Sequence, residues 1–216
     1  NDWSYGEEGN NVKLGWNISN KSWPASFDSF SLKKSIPVIK KSGSMLGKIN
    51  KSIANLLETC EDLLIISGTT DSNAAFIAAQ VKENEGLTIL GTTIVLKKII
   101  KKTFCHPGIT MHRVNGDWIC GGSSNAGCGV LSKFFSDLEI QELSQQINPR
   151  KKTTLNYLPL NSPGERFPTD DPNLKPIIKP RPVSDALFLH GLLEGLAMIE
   201  LQGWQKLKNL SGYFPK

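Results

Sequence analysis

Two glycine turns, each following an apolar run, decide the fold class expected of this chain. The first stretch reads Leu63-Leu64-Ile65-Ile66-Ser67-Gly68-Thr69-Thr70-Asp71, and the second reads Leu87-Thr88-Ile89-Leu90-Gly91-Thr92-Thr93-Ile94-Val95-Leu96. The apolar runs predict strands, and the first strand is expected to be buried. Glycine lets the backbone approach an anion closely, while the threonines add hydroxyl and amide donors. Together the stretches favour a nucleotide-binding α/β domain with both turns on one mixed sheet.

Length and composition restrict the class of protein. The chain has 216 residues, of which 39% are hydrophobic, and it carries a formal net charge of +5. This length suits one large domain or two small ones. The basic residues form short scattered clusters without interleaved aromatic residues, so we expect no nucleic-acid partner. No signal peptide and no membrane-spanning run are apparent, so we expect a cytoplasmic protein without a membrane partner.

The cysteines and histidines indicate neither a disulfide framework nor a metal site. No C-x-x-C pair occurs, and the cysteine spacing is not that of a zinc site. We therefore expect buried, reduced thiols at all four cysteines and no metal held by histidines, which are far apart in the sequence. The residues concerned are Cys60, Cys105, Cys120, Cys128, His106, His112 and His190.

Local patterns along the chain predict an α/β order of elements. A long helix is expected after the Pro-rich stretch 153–183, with Ser184 or Asp185 as its cap and Gly212 as its end. The glycine-rich loop Gly121–Gly129 is expected to lead into an apolar helix. The remaining expectations are a helix near 53–57, a helix over 71–82, a hairpin over 87–100, a hairpin over 109–121 and helices over 130–135 and 138–147.

Asp71 admits two interpretations. It stands where the helix over 71–82 begins, and a carboxylate there caps free backbone N–H groups. The same carboxylate could accept the proton of a substrate hydroxyl as that hydroxyl attacks a γ-phosphorus. The two roles are compatible, because the helix start would hold the carboxylate rigidly.

The glycine segments also admit two interpretations each. Gly91-Thr92-Thr93 is either an ordinary hairpin turn or a clip that surrounds phosphates with N–H and hydroxyl donors. Gly121–Gly129 is either a flexible surface loop or an ordered ligand contact at a helix start. No P-loop motif occurs, so a Walker-type site is excluded.

Two further pairs are expected to be structural. Glu165-Arg166, close to prolines on both sides, could form an internal ion pair or a substrate contact, and we favour the structural role. His190 and Glu194 lie one helical turn apart and are expected to pair on the face of the long helix.

Taken together, these motifs resemble those of the FGGY family of carbohydrate kinases. The segment from Gly68 to Ala75 is similar to the family's segment with the catalytic aspartate, and Gly91-Thr92-Thr93 to its phosphate-binding turn. The segments Gly122–Gly127, Gly164–Pro168 and His190–Ala197 resemble its nucleotide-contacting loop, its Gly-Glu-Arg-x-Pro element and its C-terminal helix. Their order and approximate spacing agree with the family over essentially the whole chain.

The resemblance implies a fold, a reaction and a set of site residues. The fold would be ribonuclease H-like, as in actin-like ATPases, and the reaction would be phosphorylation of a sugar hydroxyl by ATP with Mg²⁺. The resemblance implies Asp71 as general base, Asp71 and Thr70 as substrate contacts, and Gly91, Thr92, Thr93 and Gly127 as ATP contacts. Similarity is greatest to the plant and cyanobacterial branch whose members resemble xylulokinases and act on D-ribulose, so a ketopentose such as D-ribulose or D-xylulose is expected.

The resemblance also implies how the chain is organised. Residues 1–60 would end the first, sugar-binding domain, and residues 61–216 would form most of the second, nucleotide-binding domain. The family's N-terminal Asp-x-Gly-Thr motif and its adenosine-binding Gly-Gly-Gly-Ala segment are missing, so the chain is expected to be a fragment. Two alternative functions remain open: an actin-like ATPase with a scaffolding role, and a non-catalytic fragment that needs its missing half. The chain could also form a homodimer.

Overall fold

The computed structural model describes residues 4–29, 31 and 33–215. The chain divides into two compact units. The first unit contains Asn1–Gln80 and His112–Asp117, and the second contains Val81–Met111 and Trp118–Lys216. The expected region 1–60 includes residues 1–3, 30 and 32, which lie outside the described residues. Its assignment to a sugar-binding domain stays a prediction.

The first unit contains short elements only. Two strands pair in parallel, and two others pair antiparallel with an irregular register near Gly47. The expected helix near 53–57 is confirmed, and so is a helix beginning at Asp71. The elements are β1 (Tyr5–Glu7), α1 (Glu8–Asn11), β2 (Val38–Lys40), β3 (Met45–Lys48), α2 (Lys51–Leu56), β4 (Leu64–Ile66) and α3 (Asp71–Ala78).

The first apolar run forms a strand, but the expectation that it is buried is wrong. Leu64, Ile65 and Ile66 are 50%, 39% and 47% exposed. The reason is that, within the described part of the chain, β4 pairs only with β3, in a two-stranded ribbon. A ribbon of this size has too few strands to bury both of its faces.

The second unit contains most of a four-stranded sheet. The strands of this sheet are β5 (Gly86–Leu90), β6 (Ile94–Ile100), β7 (Ile109–Val114) and β8 (Asp117–Ser123), in the spatial order β5-β6-β8-β7. Residues 112–117, at the end of β7 and the beginning of β8, are assigned to the first unit. Both expected hairpins are therefore confirmed. The two glycine turns do not share one mixed sheet as expected, because β4 belongs to the ribbon and the pairs β5–β6 and β6–β8 are antiparallel.

The long helix α5 (Asp185–Ser211) covers this sheet and carries much of the core. The side chain of Ser184 accepts from the Leu187 amide at its start, and Gly212 ends it in the left-handed conformation. Its apolar residues recur at helical spacing, which explains why one face is buried. The buried residues of this face include Phe188, Leu189, Leu192, Leu196, Ile199, Trp204 and Leu207.

A buried lysine fastens the segment that follows α5. Lys98 is fully buried on β6. Its ammonium donates to Ser211 Oγ at 3.0 Å and to the Tyr213 carbonyl at 2.6 Å. The same nitrogen lies 3.2 Å from the centre of the Tyr213 ring. A buried cation is tolerated here because acceptors and an aromatic face surround it.

Three local expectations need correction. The loop expected at Gly121–Gly129 is partly strand, because β8 runs to Ser123. The apolar helix that follows is a 3₁₀ helix over Cys128–Lys133 rather than an α-helix. All four cysteines are free, but Cys60 and Cys105 are exposed, so the prediction that all are buried is wrong. The helix expected over 138–147 is confirmed as α4 (Asp137–Ser144).

No helix among residues 4–29, 31 and 33–215 has both the length and the apolar character that a bilayer span requires.

Candidate active site

In the first unit, Asp71 and Thr70 lie together at the beginning of α3. Thr70, and not Asp71 as expected, is the N-cap, since its hydroxyl accepts from the Asn73 amide at 3.2 Å. Asp71 is the first helical residue, and its Oδ1 accepts from the Ser72 amide at 2.7 Å. The side chain is exposed. One carboxylate oxygen is therefore anchored to the helix start, and the other has no hydrogen bond among the described residues.

A buried asparagine supports this helix start. Asn73 is completely buried, and its side-chain amide donates to Thr69 Oγ1 at 3.3 Å. A β-carbon built on Gly9 would lie 3.2 Å from Asn73 Nδ2, so the beginning of α1 packs closely against the beginning of α3. The sequence pattern gave no indication of this support, because Asn73 lies within a run of ordinary helix formers.

Two buried glutamates lie at the beginning of α1. Glu7 caps this helix by accepting from the amides of Gly9 and Asn10 at 2.8 Å each, and Ser42 Oγ donates to it as well. Burial, together with the charge of Glu7, raises the pKa of Glu8, although Arg113 and other neighbours oppose the shift. Acidic side chains are rarely buried without partners. The first unit therefore has a polar interior at α1, which sequence analysis did not predict.

In the second unit, the turn Gly91-Thr92-Thr93 joins β5 to β6. Gly91 and Thr92 are exposed and Thr93 is half-buried. The Gly91 amide donates to the Thr93 carbonyl at 3.1 Å. Among the described residues, no acceptor is seen for the amides or hydroxyls of Thr92 and Thr93. Four donors of the turn therefore have no described acceptor, and donors of this kind are what an anion needs.

Gly127 packs directly against this turn. A β-carbon built on Gly127 would lie 2.4 Å from the Thr92 carbonyl oxygen and 2.5 Å from Thr93 Cα. The next amide, of Cys128, donates to the Gly91 carbonyl at 2.8 Å, and the Gly129 amide donates to the Thr92 carbonyl at 3.4 Å. Only a residue without a side chain fits at position 127. The structure thus brings together the four residues that the sequence predicted as ATP contacts.

Glu165 has a structural role, as predicted, but not through an ion pair with Arg166. The carboxylate is only 4% exposed and accepts from Ser124 Oγ at 2.5 Å and from the amides of Asn125 and Arg166 at 2.8 and 2.9 Å. The Arg166 guanidinium turns instead to Ser123, with bonds of 2.8 and 3.0 Å. Glu165 therefore fixes the chain just before Gly127.

The pair His190–Glu194 lies on one face of α5, with His190 Nε2 3.8 Å from Glu194 Oε1. Burial alone would raise the pKa of Glu194. Hydrogen bonds from the amide and hydroxyl of Thr153, together with His190, lower it overall. These contacts join α5 to the irregular segment before it, so the predicted structural role is supported.

The described residues contain no cluster of three or more His, Cys, Asp or Glu side chains that could hold a metal ion.

The predicted site residues thus form two groups. Asp71 and Thr70 belong to the first unit, whereas Gly91, Thr92, Thr93 and Gly127 belong to the second. Asn161 was missed by sequence analysis although its side chain bonds to Thr92 at 2.9 Å. No motif marks it, because it stands in a Pro-rich segment without periodicity.

Comparison with solved structures identifies the fold. No family model matches the sequence. The structure is similar to the ligand-bound xylulose kinase from Lactobacillus acidophilus, with a TM-score of 0.74 at 16% identity over 94% of this chain and 44% of that chain. It is also similar to gluconate kinase from the same organism, with a TM-score of 0.76 at 18% identity over 95% of this chain and 45% of that chain. It is similar, too, to the glycerol kinase from Plasmodium falciparum, solved with ADP. For that pair the TM-score is 0.74 at 19% identity over 98% of this chain and 45% of that chain.

The chain has the fold of these kinases. The likeness extends over nearly all of the chain, so the α/β class and the similarity to carbohydrate-kinase structures are both confirmed at the level of fold. The chain spans less than half the length of each of these structures. At identities below 20%, the kinase fold by itself assigns no substrate and no catalytic residue to this chain.

Proposed function

We propose that this chain takes part in the ATP-dependent phosphorylation of a sugar hydroxyl. One observation carries the proposal: the exposed turn Gly91–Thr93 presents free donors and is packed on Gly127 in a chain with a kinase fold. The turn is well suited to the β- and γ-phosphates, because backbone amides and hydroxyls stabilise negative charge without needing to reorganise. Residues 61–216 would then make up most of a ribonuclease H-like nucleotide domain.

Asp71 is proposed as the general base and, with Thr70, as a contact to the sugar. The free carboxylate oxygen of Asp71 would accept the proton of the sugar hydroxyl, while the hydroxyl oxygen forms a bond to the γ-phosphorus. The bond from that phosphorus to the β,γ-bridging oxygen breaks, and ADP leaves with the electron pair. Thr70 accepts from the Asn73 amide, so its own hydroxyl proton is available for a sugar oxygen.

Mg²⁺ bound to ATP would neutralise phosphate charge during this transfer. Asp71 is exposed and close to the helix start, where it would remain available for the proton.

The proposed substrate is a ketopentose, D-ribulose or D-xylulose. This proposal depends on the resemblance of the sequence to the xylulokinase-like branch, and the presence of xylulose kinases among the similar structures supports it. Residues 1–60 would contribute the end of the sugar-binding domain. The rest of that pocket would come from polypeptide beyond this chain, in keeping with its coverage of less than half of each similar structure.

The proposal is tested by ADP release over a panel of ketopentoses, polyols and aldonic acids. We expect release that depends on a ketopentose and falls by orders of magnitude in Asp71→Asn, with ATP affinity nearly unchanged. Asp137→Asn is a matched control, because Asp137 is likewise the first residue of a helix capped by a hydroxyl, Ser136, and is exposed.

The other outcomes favour other functions. Hydrolysis of ATP that no sugar stimulates would favour an actin-like ATPase. A chain that neither binds ATP nor melts cooperatively would favour a non-catalytic fragment that needs its missing half.

A further inference from the structure

Asn161 joins the turn Gly91–Thr93, here called the phosphate turn, to the loop that leads to Gly127. Its side-chain amide donates to the Thr92 carbonyl at 2.9 Å and to the Asn125 carbonyl at 3.0 Å. A carboxamide has two N–H hydrogens. Both hydrogens of Asn161 are therefore used, one on the turn and one on the loop that leads to Gly127.

Glu165 holds the same loop from its buried side. Its carboxylate binds Ser124 Oγ and the Asn125 amide, and Ser124 Oγ in turn accepts from the Ala126 amide at 2.9 Å. The Ala126 carbonyl accepts from the Ile94 amide at 2.7 Å, at the beginning of β6. Residues 124–126 are thus fixed on both sides immediately before Gly127.

These contacts determine where the free donors of the turn point. Gly127 has no side chain to set its distance from Thr92, so neighbouring bonds must set it. The Asn161 amide is the side-chain group that binds the Thr92 carbonyl directly among the described residues. Its removal would leave this carbonyl with the longer bond from the Gly129 amide, at 3.4 Å.

We infer that Asn161 is a positioning residue for the phosphate turn, and that Glu165 supports it from the opposite side of the loop. This inference rests on the proposed function, because it assigns the turn to ATP. Asn161 would not touch the nucleotide; it would hold the amides of Thr92 and Thr93 in the orientation that the phosphates require. Its effect should therefore appear in ATP affinity and in the local mobility of the turn, and hardly at all in global stability.

Asn161→Asp is the sharpest test variant. Aspartate has the same shape but has no N–H hydrogens and places a negative charge against two carbonyl oxygens. Asn161 is only half-buried, so the fold should tolerate the change. Asn173→Asp is the matched control, since Asn173 is exposed in the same irregular segment and its described bond is made by its backbone amide. If Asn161→Asp does not fold, Asn161→Ala removes the donors without adding charge.

The experiment combines ATP–Mg²⁺ titration calorimetry, amide hydrogen exchange and thermal melting on the whole chain. For Asn161→Asp we expect Kd to rise at least tenfold, the Cys128 and Gly129 amides to exchange at least tenfold faster, and the melting temperature to change little. Asn161→Gln should recover part of the affinity because it restores the amide. Unchanged affinity and unchanged exchange in Asn161→Asp would overturn the inference. If the native chain binds no ATP while exchange still accelerates in the variant, the proposed function fails and the positioning of the turn stands.

Discussion

The carbonyl oxygen of Thr92 occupies the space where a side chain on Gly127 would begin, 2.4 Å from the position of a β-carbon. Thr93 Cα lies almost as close, at 2.5 Å. Both obstructing atoms belong to the backbone of a turn that is bonded to residues 128 and 129, so neither can move aside alone. The candidate phosphate turn and the loop opposite it are therefore built as one piece.

This contact predicts a large difference between two glycine substitutions. Gly127→Ala should lower the free energy of unfolding by about 1–3 kcal/mol, as overpacking typically does, and should displace the turn. Gly91→Ala should cost far less stability, because the nearest atom to its β-carbon would be the Thr93 carbonyl oxygen at 3.8 Å. Urea denaturation of both variants checks the prediction. An equal loss of unfolding free energy in the two variants would show that the close backbone contact at Gly127 does not exclude a side chain there.

The packing of the Phe167 ring predicts a large loss of stability when the ring is removed. Phe167 is 1% exposed, and its ring atoms would lie 2.3 Å and 2.8 Å from β-carbons built on Gly122 and Gly203. It therefore fills the space between β8 and α5. Phe167→Ala should cost about 3–5 kcal/mol of unfolding free energy. Phe167→Leu retains part of the volume and should cost clearly less. If both variants lose under 1 kcal/mol in urea denaturation, the ring does not hold the two elements together.

The buried ammonium of Lys98 predicts a pH dependence of stability. Burial lowers its pKa from 10.5 to about 8, although Cys120 acts in the opposite direction. Between these values the unfolded chain holds the proton that the native chain has released, so stability rises with pH. From pH 8 to 9 the free energy of unfolding should increase by about 1 kcal/mol, since a proton-linkage slope cannot exceed about 1.4 kcal/mol per pH unit.

Cys120 limits the pH range in which the effect of Lys98 can be measured. Burial raises the pKa of its thiol from 9.0 to about 11, which makes stability fall with pH above 9 and opposes the effect of Lys98. Urea denaturation at pH 8 and pH 9 should therefore show the rise in the native chain and its disappearance in Lys98→Met. If the free energy of unfolding rises by the same amount in Lys98→Met, the rise is caused by groups other than Lys98.

Sequence reasoning predicted best where a local pattern and the final environment agree. The helix α5 has its cap, its apolar face and its terminal glycine all in the sequence, and the structure follows each of them. The β5–β6 hairpin was equally predictable, since two apolar runs flank one glycine turn. The assignment of Gly91, Thr92 and Thr93 on this hairpin as ATP contacts stays a prediction.

The sequence-based predictions were wrong or incomplete where burial and bonding depend on residues distant in the sequence. An apolar run such as Leu64–Ile66 predicts a strand, but whether that strand is buried depends on what packs against it. Asp71 and Thr70 are both good caps, and only the backbone geometry selects Thr70. The role of Asn161 depends on a bond across 69 positions in the sequence, which no local pattern can reveal.

The most direct test of the central claim is the transfer of the γ-phosphoryl group itself. The protein is incubated with ATP labelled at the γ-phosphate, Mg²⁺ and D-ribulose or D-xylulose, and labelled sugar phosphate is separated from inorganic phosphate. We predict labelled ketopentose phosphate with the native protein and with Asp137→Asn, and its loss by orders of magnitude with Asp71→Asn. Labelled sugar phosphate formed equally well by Asp71→Asn, or label released only as inorganic phosphate whatever sugar is present, would contradict it.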